Sequence, residues 1–462
     1  MYKRQQQGVA IGIFIKEPGK SGPAKVCHAD LRGKRAQKYE QLFEQDVEIT
    51  DWTQLSPQLP FYLFASQNVD LQAEYAGCWS SLDIFPLTTT GIKTHRDHFA
   101  VGFEEAELLN RVIDFRNLQK SNEDLSALYE LKNTRDWKIE ARRISLSKQT
   151  DWEKYLVEYH YRPFDFRKIF HHSDIVELPR TDVMQHLYPE NLALGVGRQG
   201  LAVGSTWDIV IVTRKVIDTN VYRRGGVQVF PLYLYPTQAA AKQSNLLNVA
   251  TWPPDEVHGG RAPNLNPEFV QEMAQKLGII FTPSAAGDLQ TTFGPEDIFH
   301  YIYVIFHSPT YRTRYAEFLK IDFPRVPLTA EVALFRTLCG LGKELVGLHL
   351  LESPQVNQFR TRYPIAGDNL VDKGYPKYVP PQNDHPGRIN INKSQYFEGI
   401  SPEVWGFYIG GYQVLGKWLK DRQGRQLSYD DLTHYQQVVV ALQKTIELME
   451  KIDIAIPEWP VV

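Results

Sequence analysis

The sequence predicts a mixed α+β fold: a short piece of an α/β sheet edge, then a strand-rich middle, then a helical end. Three patterns predict it. Residues 8–15, GVAIGIFI, form a compact run rich in Val and Ile, the mark of a strand covered on both faces, as in a parallel sheet. Between residues 151 and 235 short β-like runs alternate with Gly and Pro. Toward the end, Leu334, Leu338, Leu341, Leu345 and Leu348 recur at spacings of four and three, and Leu432, Tyr435, Val439, Leu442, Ile446 and Met449 do the same. Such one-face stripes bury one side of a helix.

The elements follow in order. The run at 8–15 stands so early that few strands can flank it nearby, and residues 24–30 supply one candidate. Residues 33–45 read as a helix. Residues 104–118 read as another, with Leu108, Leu109, Val112 and Phe115 on one side. Residues 120–150 are polar and look like a connector. Strand-like runs come at 192–204, 207–214 and 227–235, and residues 236–266, rich in Pro and Asn, read as a long loop. Asn266 is placed to cap the next helix, with Pro267 at its first position and Gly278 at its stop. Helices are expected at about 296–307, 310–320 and 329–351. Residues 353–395 read as loop, and Ser428 or Asp430 caps the last helix.

A chain of 462 residues holds about two to four folding units. Its 51 Lys and Arg against 54 Asp and Glu give a net charge of −3, unlike the strongly basic free-standing nucleic-acid binder. Any DNA-facing surface must therefore be local. The three cysteines, Cys27, Cys78 and Cys339, are far apart and fit no zinc spacing. They read as three buried or half-buried thiols in a reducing cytosol. The start lacks a convincing signal peptide, and no apolar stretch approaches the roughly 20 residues that span a membrane.

Common catalytic signatures are missing. There is no GxGxxG, GxxxxGK[ST], GxSxG or HExxH. The Asp/Asn-Pro-Pro-Tyr/Phe tetrapeptide that holds a target amino group is absent too; TWPPDE at 251–256 and NPEF at 266–269 do not match it. No catalytic, cofactor-binding or metal-binding residue is assigned. His171 and His172 are adjacent, so on a strand they point to opposite faces and cannot easily share a metal.

Basic residues interleaved with aromatics are more informative. YHYRPFDFRKIFHH (159–172) carries Arg162 and Arg167, NVYRRGGVQVFPLYLYP (220–236) puts Arg223 and Arg224 before a Gly-Gly turn, and HSPTYRTRYAEFLK (307–320) puts Arg312 and Arg314 at a helix start. Arg198 lies between glycines in GVGRQG (195–200), where backbone can approach a ligand closely. Arginine grips phosphates or guanine edges. Each also has an ordinary reading. Arg162 with Asp165 can be an ion pair at a turn, Arg312 and Arg314 can be solvated, and a charged turn at 223–224 is common.

Together these strings resemble the C-terminal portion of type ISP restriction–modification enzymes, which join nuclease, helicase, N6-adenine methyltransferase and target-recognition domains in one chain. The matching blocks are GVAIGIFIK (8–16), HYRPFDFRKIFH (160–171), YRRGGVQVFPLYLYP (222–236), IFHSPTYRTRYAEFLKIDFPRVPL (305–328) and WGFYIGGYQVLGKWLKDRQGR (405–425). The resemblance implies a remnant of a methyltransferase α/β domain at 1–65, a mainly helical connector at 66–150, a target-recognition domain at 151–395 and a C-terminal helical segment at 396–462. It implies a module that selects double-stranded DNA sites for a methyltransferase/helicase–nuclease polypeptide, with S-adenosylmethionine bound by the catalytic half and not here. Arg162, Arg167, Arg198, Arg223, Arg224, Arg312 and Arg314 are then the expected DNA contacts. Two other readings stay open. One is a docking or regulatory subunit, or decayed remnant, that no longer reads DNA, which scattered surface charge would favour. The other is a noncanonical S-adenosylmethionine-dependent methyltransferase, which methylation of duplex adenine would reveal.

Overall fold

The computed structural model describes residues 11–22, 24–57, 62, 64, 69–198, 206–236, 252–383 and 385–461. The chain divides into two compact units, residues 1–70 and 71–462, and its secondary structure is mixed α+β.

In the first unit the expected helix forms as Arg35–Glu44. The expected strand at 8–15 does not form over its described part. Residues 11–15 have no regular structure, and Ile11, Ile13, Phe14 and Ile15 are exposed; residues 8–10 lie outside the described residues. The physical reason is a missing neighbour. Val26–His28, the candidate partner, pairs antiparallel with Thr53–Leu55 instead, and an apolar strand without paired edges and covered faces has nothing to hold it.

The second unit is built on two four-stranded sheets. In one, Leu156–Arg162 and Asp165–Phe170 form a hairpin, with Val216–Ile217 parallel on one side and Val101–Gly102 antiparallel on the other. Its two-residue turn places Phe164 at φ 57°, a left-handed conformation that costs a residue with a Cβ of order 1 kcal/mol. The surroundings hold it there. Phe164 is buried, its ring meets His349 at 5.9 Å, and its carbonyl is 2.7 Å from His434 Nε2. The other sheet is antiparallel, in the order Thr89–Thr90, Gln228–Pro231, Ala193–Val196, Val210–Thr213. Its Ala193–Val196 and Val210–Thr213 strands are wholly buried, as suits their composition, apolar but for Thr213.

Against the sheets pack three long helices. Pro295–Ile305 is buried from Asp297 to its end, as suits a helix apolar on every side. It lies so close to Val332–His349 that a Cβ on Gly342 would sit 2.1 Å from the His300 carbonyl oxygen. Val332–His349 in turn meets Tyr429–Ala455 through His349 Nε2 and Thr445 Oγ1, 2.8 Å apart. Leu338, Leu345 and Leu348 of the first stripe and Tyr435, Val439 and Leu442 of the second are buried.

Local signals held where the chain itself supplies the partner. Asn266 accepts the Glu268 amide, Pro267 opens the helix and Gly278 stops it at φ 66°. Ser428 caps Tyr429–Ala455. Three expectations need correction. The helix expected over 310–320 breaks into Pro309–Arg314 and Ala316–Leu319 at Tyr315, whose hydroxyl is drawn to Glu74. The connector at 120–150 contains two helices, Asn122–Leu128 and Ile139–Ser147. The loop at 353–395 contains two strands, Lys377–Val379 and Arg388–Asn390, which form a three-stranded sheet with Tyr396–Glu398 just beyond it. Three-residue strands are too short to show a period in sequence.

Candidate nucleic-acid interface

One end of the antiparallel sheet gathers the residues most suited to meet a polyanion. Tyr222, fully buried, anchors the chain there: its hydroxyl donates to the Gly195 carbonyl at 2.6 Å. The next residue, Arg223, donates its backbone N–H to the Gly410 carbonyl at 2.8 Å. The chain then turns through three positive φ angles, 72° at Arg224, 79° at Gly225 and 94° at Gly226. Gly225 N–H closes the turn on the Tyr222 carbonyl at 2.9 Å, and a Cβ on Gly225 would come within 3.0 Å of Asn220 Oδ1. Glycine is required there both by φ and by space. Val196 is opposite Gln228 in the register, so the strand that continues into Arg198 ends beside the 223–226 turn. Arg198, Arg223 and Arg224 are exposed, and among the described residues none forms an ion pair with a carboxylate. Arg198 does lie over the Phe323 ring at 5.4 Å.

The other four predicted arginines are engaged by other groups of the protein. Arg162 is buried, not against Asp165 but 3.5 Å from Asp218, with its guanidinium over Tyr161 at 3.7 Å. Burial works against its charge, and Asp218 together with the surrounding tyrosines more than restores it, so its pKa is raised. Asp218 also accepts the Tyr159 hydroxyl at 2.6 Å. Arg167 is held by Asp165 at 2.7 Å and Asp421 at 3.5 Å, stacked between Tyr161 and Phe103. Arg314 makes a two-pronged pair with Glu74 at 2.7 and 2.6 Å. Half-buried Arg312 donates through Nε to the Phe306 carbonyl at 2.7 Å, and burial lowers its pKa to about 10. Buried guanidiniums acquire carboxylates and carbonyls because an unpaired buried charge costs several kcal/mol.

Sequence reasoning left the 405–425 block without a site role, and it proves central. Arg422, 257 positions from Asp165, donates to it at 3.1 Å, and its guanidinium lies over Trp418 at 3.5 Å. Arg167, Arg422 and Arg425 converge on the Phe103 ring at 4.2, 5.0 and 4.0 Å. The dense mixture of aromatics and cations in GFYIGGYQVLGKWLKDRQGR was the available signal. His171 is occupied by the Tyr188 hydroxyl at 2.7 Å and the Pro179 carbonyl at 2.6 Å, and burial depresses its pKa to about 4. No cluster of His, Cys, Asp and Glu able to hold a metal occurs among the described residues. No helix among them is long and apolar enough to cross a membrane.

The fold is one found in restriction–modification enzymes. The structure titled "ATP-dependent Type ISP restriction-modification enzyme LlaBIII bound to DNA" matches with a TM-score of 0.67 and 17% identity, over 97% of this chain and 28% of that one. A nuclease-deletion mutant of the Type ISP enzyme LlaGI in complex with a DNA substrate mimic matches at 0.62 and 19%, over 96% and 40%. A DrdV–DNA complex matches at 0.64 and 19%, over 90% and 42%. The present chain thus spans less than half the length of each. It belongs to the family of Type ISP C-terminal specificity domains, whose model matches residues 83–451. A search of curated protein sequences returns no significant match.

Proposed function

We propose that this chain selects a double-stranded DNA sequence and holds it for methylation or restriction by a catalytic part outside the chain. The carrying observation is the sorting of arginines. Arg162, Arg167 and Arg314 are neutralised by carboxylates, whereas Arg198, Arg223 and Arg224 stand unpaired and exposed at one sheet end. In a protein of net charge −3 such a local cationic turn is where a phosphate backbone can be met, and its glycines let backbone and DNA approach closely. Family membership and the DNA-bound relatives support the same reading. Its partners are then duplex DNA and a methyltransferase/helicase–nuclease polypeptide that binds S-adenosylmethionine, acting in the cytoplasm. The recognition energy has to offset the few kcal/mol that flipping an adenine costs.

Fluorescence anisotropy with duplex DNA across a salt series tests this. Arg223→Ala with Arg224→Ala should weaken binding and reduce the slope of log K against log salt by roughly 1.8, about 0.9 for each phosphate that is no longer neutralised. An unaltered slope rejects the role of this turn. The overall acidic balance favours a second reading, a docking subunit that does not read DNA, and absence of any duplex binding by the unmodified chain would select it.

A further inference from the structure

Beside the 223–226 turn lies a feature that the arginines do not explain. Residues 408–413 form a tight hairpin, with Tyr408 paired to Gln413 and Ile409 to Tyr412. Gly410 and Gly411 at φ 55° and 78° make its turn, as two-residue hairpin turns require. The hairpin is fixed rigidly. Gly410 donates its N–H to the Asp208 carbonyl at 3.2 Å and accepts from Arg223 N–H at 2.8 Å. Its Cα is so close to Tyr222 that a Cβ would fall 2.1 Å from the ring. Burial raises the Asp208 carboxyl pKa, and Arg312 with the backbone amides of Gly411 and Gly410 acts against that rise.

Along this hairpin runs a groove of about 350 Å³ bordered by Thr206, Asp208, Arg312, Glu403, Phe407 and Tyr408. Asp208 is occupied with the hairpin turn. Tyr408 is 52% exposed, and Glu403 is exposed without a Lys or Arg partner among the described residues. Its own amide and the Ser401 hydroxyl hold its carboxyl below the usual range, so it is charged at neutral pH.

A carboxylate without a Lys or Arg partner, beside a surface proposed to meet phosphates, repels DNA unless it faces a further hydrogen-bond donor. The donors that a duplex offers in its major groove are the exocyclic amino groups of cytosine and adenine, and carboxylates are suited to accept from cytosine N4. The rings of Phe407 and Tyr408 border the same groove and offer an apolar face to a base. We propose that this groove reads a base edge bearing an exocyclic amino group, with Glu403 as the accepting, specificity-determining side chain and Tyr408 as the apolar wall beside it. The inference rests on the DNA-recognition reading above and adds to it a defined base chemistry.

Selection from a duplex library with randomised positions, applied to the full chain and to Glu403→Gln and Tyr408→Ala, tests it. The unmodified chain should prefer cytosine or adenine at one position of its site. In Glu403→Gln that single preference should fall by about five- to 150-fold, the range of one good base contact, with the other positions unchanged. Binding to random duplex should stay equal or tighten, because a negative charge is removed. Tyr408→Ala should weaken the same position and leave the others. A merely structural role for Glu403 would lower thermal stability or affinity evenly and not move one position. Specific binding by the unmodified chain with an identical profile in Glu403→Gln overturns this inference alone. No sequence preference in the unmodified chain overturns the recognition reading, and this inference with it.

Discussion

Replacing Asp165 by Asn should destabilise the protein severely. Asp165 is completely buried and Arg422 nearly so. The carboxylate accepts from Arg167 Nη2 at 2.7 Å and Nε at 3.2 Å, and from Arg422 Nη2 at 3.1 Å. Asparagine keeps the shape but removes the charge, leaving Arg167 and Arg422, both against the Phe103 ring, with only their 3.5 Å carboxylate contacts to Asp421 and Asp431. Breaking a buried pair by removing one partner costs about 3–5 kcal/mol, against a typical total of roughly 5–15 kcal/mol. Urea unfolding followed by tryptophan fluorescence measures it, and the double substitution Arg223→Ala with Arg224→Ala serves as the contrast, expected within about 0.5 kcal/mol because those side chains are exposed and unpaired. The dependence on pH gives a second handle. Burial alone would raise the Asp165 carboxyl pKa, but Arg422 and Arg167 more than offset it and lower it overall. The stabilisation is therefore complete above the unfolded carboxyl pKa of about 3.9 and is lost as pH falls through the lower folded value. The gap between the natural protein and Asp165→Asn should hold at neutral pH and narrow only under acid. A cost below about 1 kcal/mol at pH 7 would show that the pair does not anchor the hairpin and would refute the buried-charge argument.

Two further substitutions probe the frame that carries the interface. Gly342→Ala places a methyl group 2.1 Å from the His300 carbonyl oxygen and must push apart Pro295–Ile305 and Val332–His349; a loss of about 1–3 kcal/mol is expected from overpacking, read as a lowered urea midpoint with an unchanged slope. Asn266→Ala removes the acceptor for the Glu268 amide and should cost about 1 kcal/mol, whereas Asn266→Ser should restore most of it.

The ion-pair network also explains how an acidic chain can present a cationic turn. The hairpin of Leu156–Arg162 and Asp165–Phe170 is locked to the C-terminal block by Asp165–Arg422 and Arg167–Asp421. The same block carries the 408–413 hairpin, whose Gly410 fixes Arg223. Internal guanidiniums thus position the elements that display the free ones, so substitutions at Asp165 or Arg422 should reach DNA binding only through stability.

What the amino-acid sequence determined by itself was whatever is settled within a turn or two of the chain. Asn266 with Pro267 and Gly278, the Ser428 cap, and the leucine stripe through Leu338 and Leu345 were legible because each cap lies two or three residues from the amide it accepts and the stripe repeats within a turn or two. The blocks at 160–171, 222–236, 305–328 and 405–425 were likewise enough to indicate the family, which the match over residues 83–451 shows. Tertiary structure alone decided which arginines are free. Arg162 found Asp218 and not its near neighbour Asp165, Arg314 found Glu74, and Asp165 took Arg422 from the far end of the chain. Those pairings depend on side chains brought together by packed sheets and helices, and a guanidinium within a basic–aromatic string looks the same in sequence whether its partner is a buried carboxylate or a phosphate. The strand expected at 8–15 misled for a related reason: an apolar run states what a segment would bury, but only neighbouring strands determine whether it is buried.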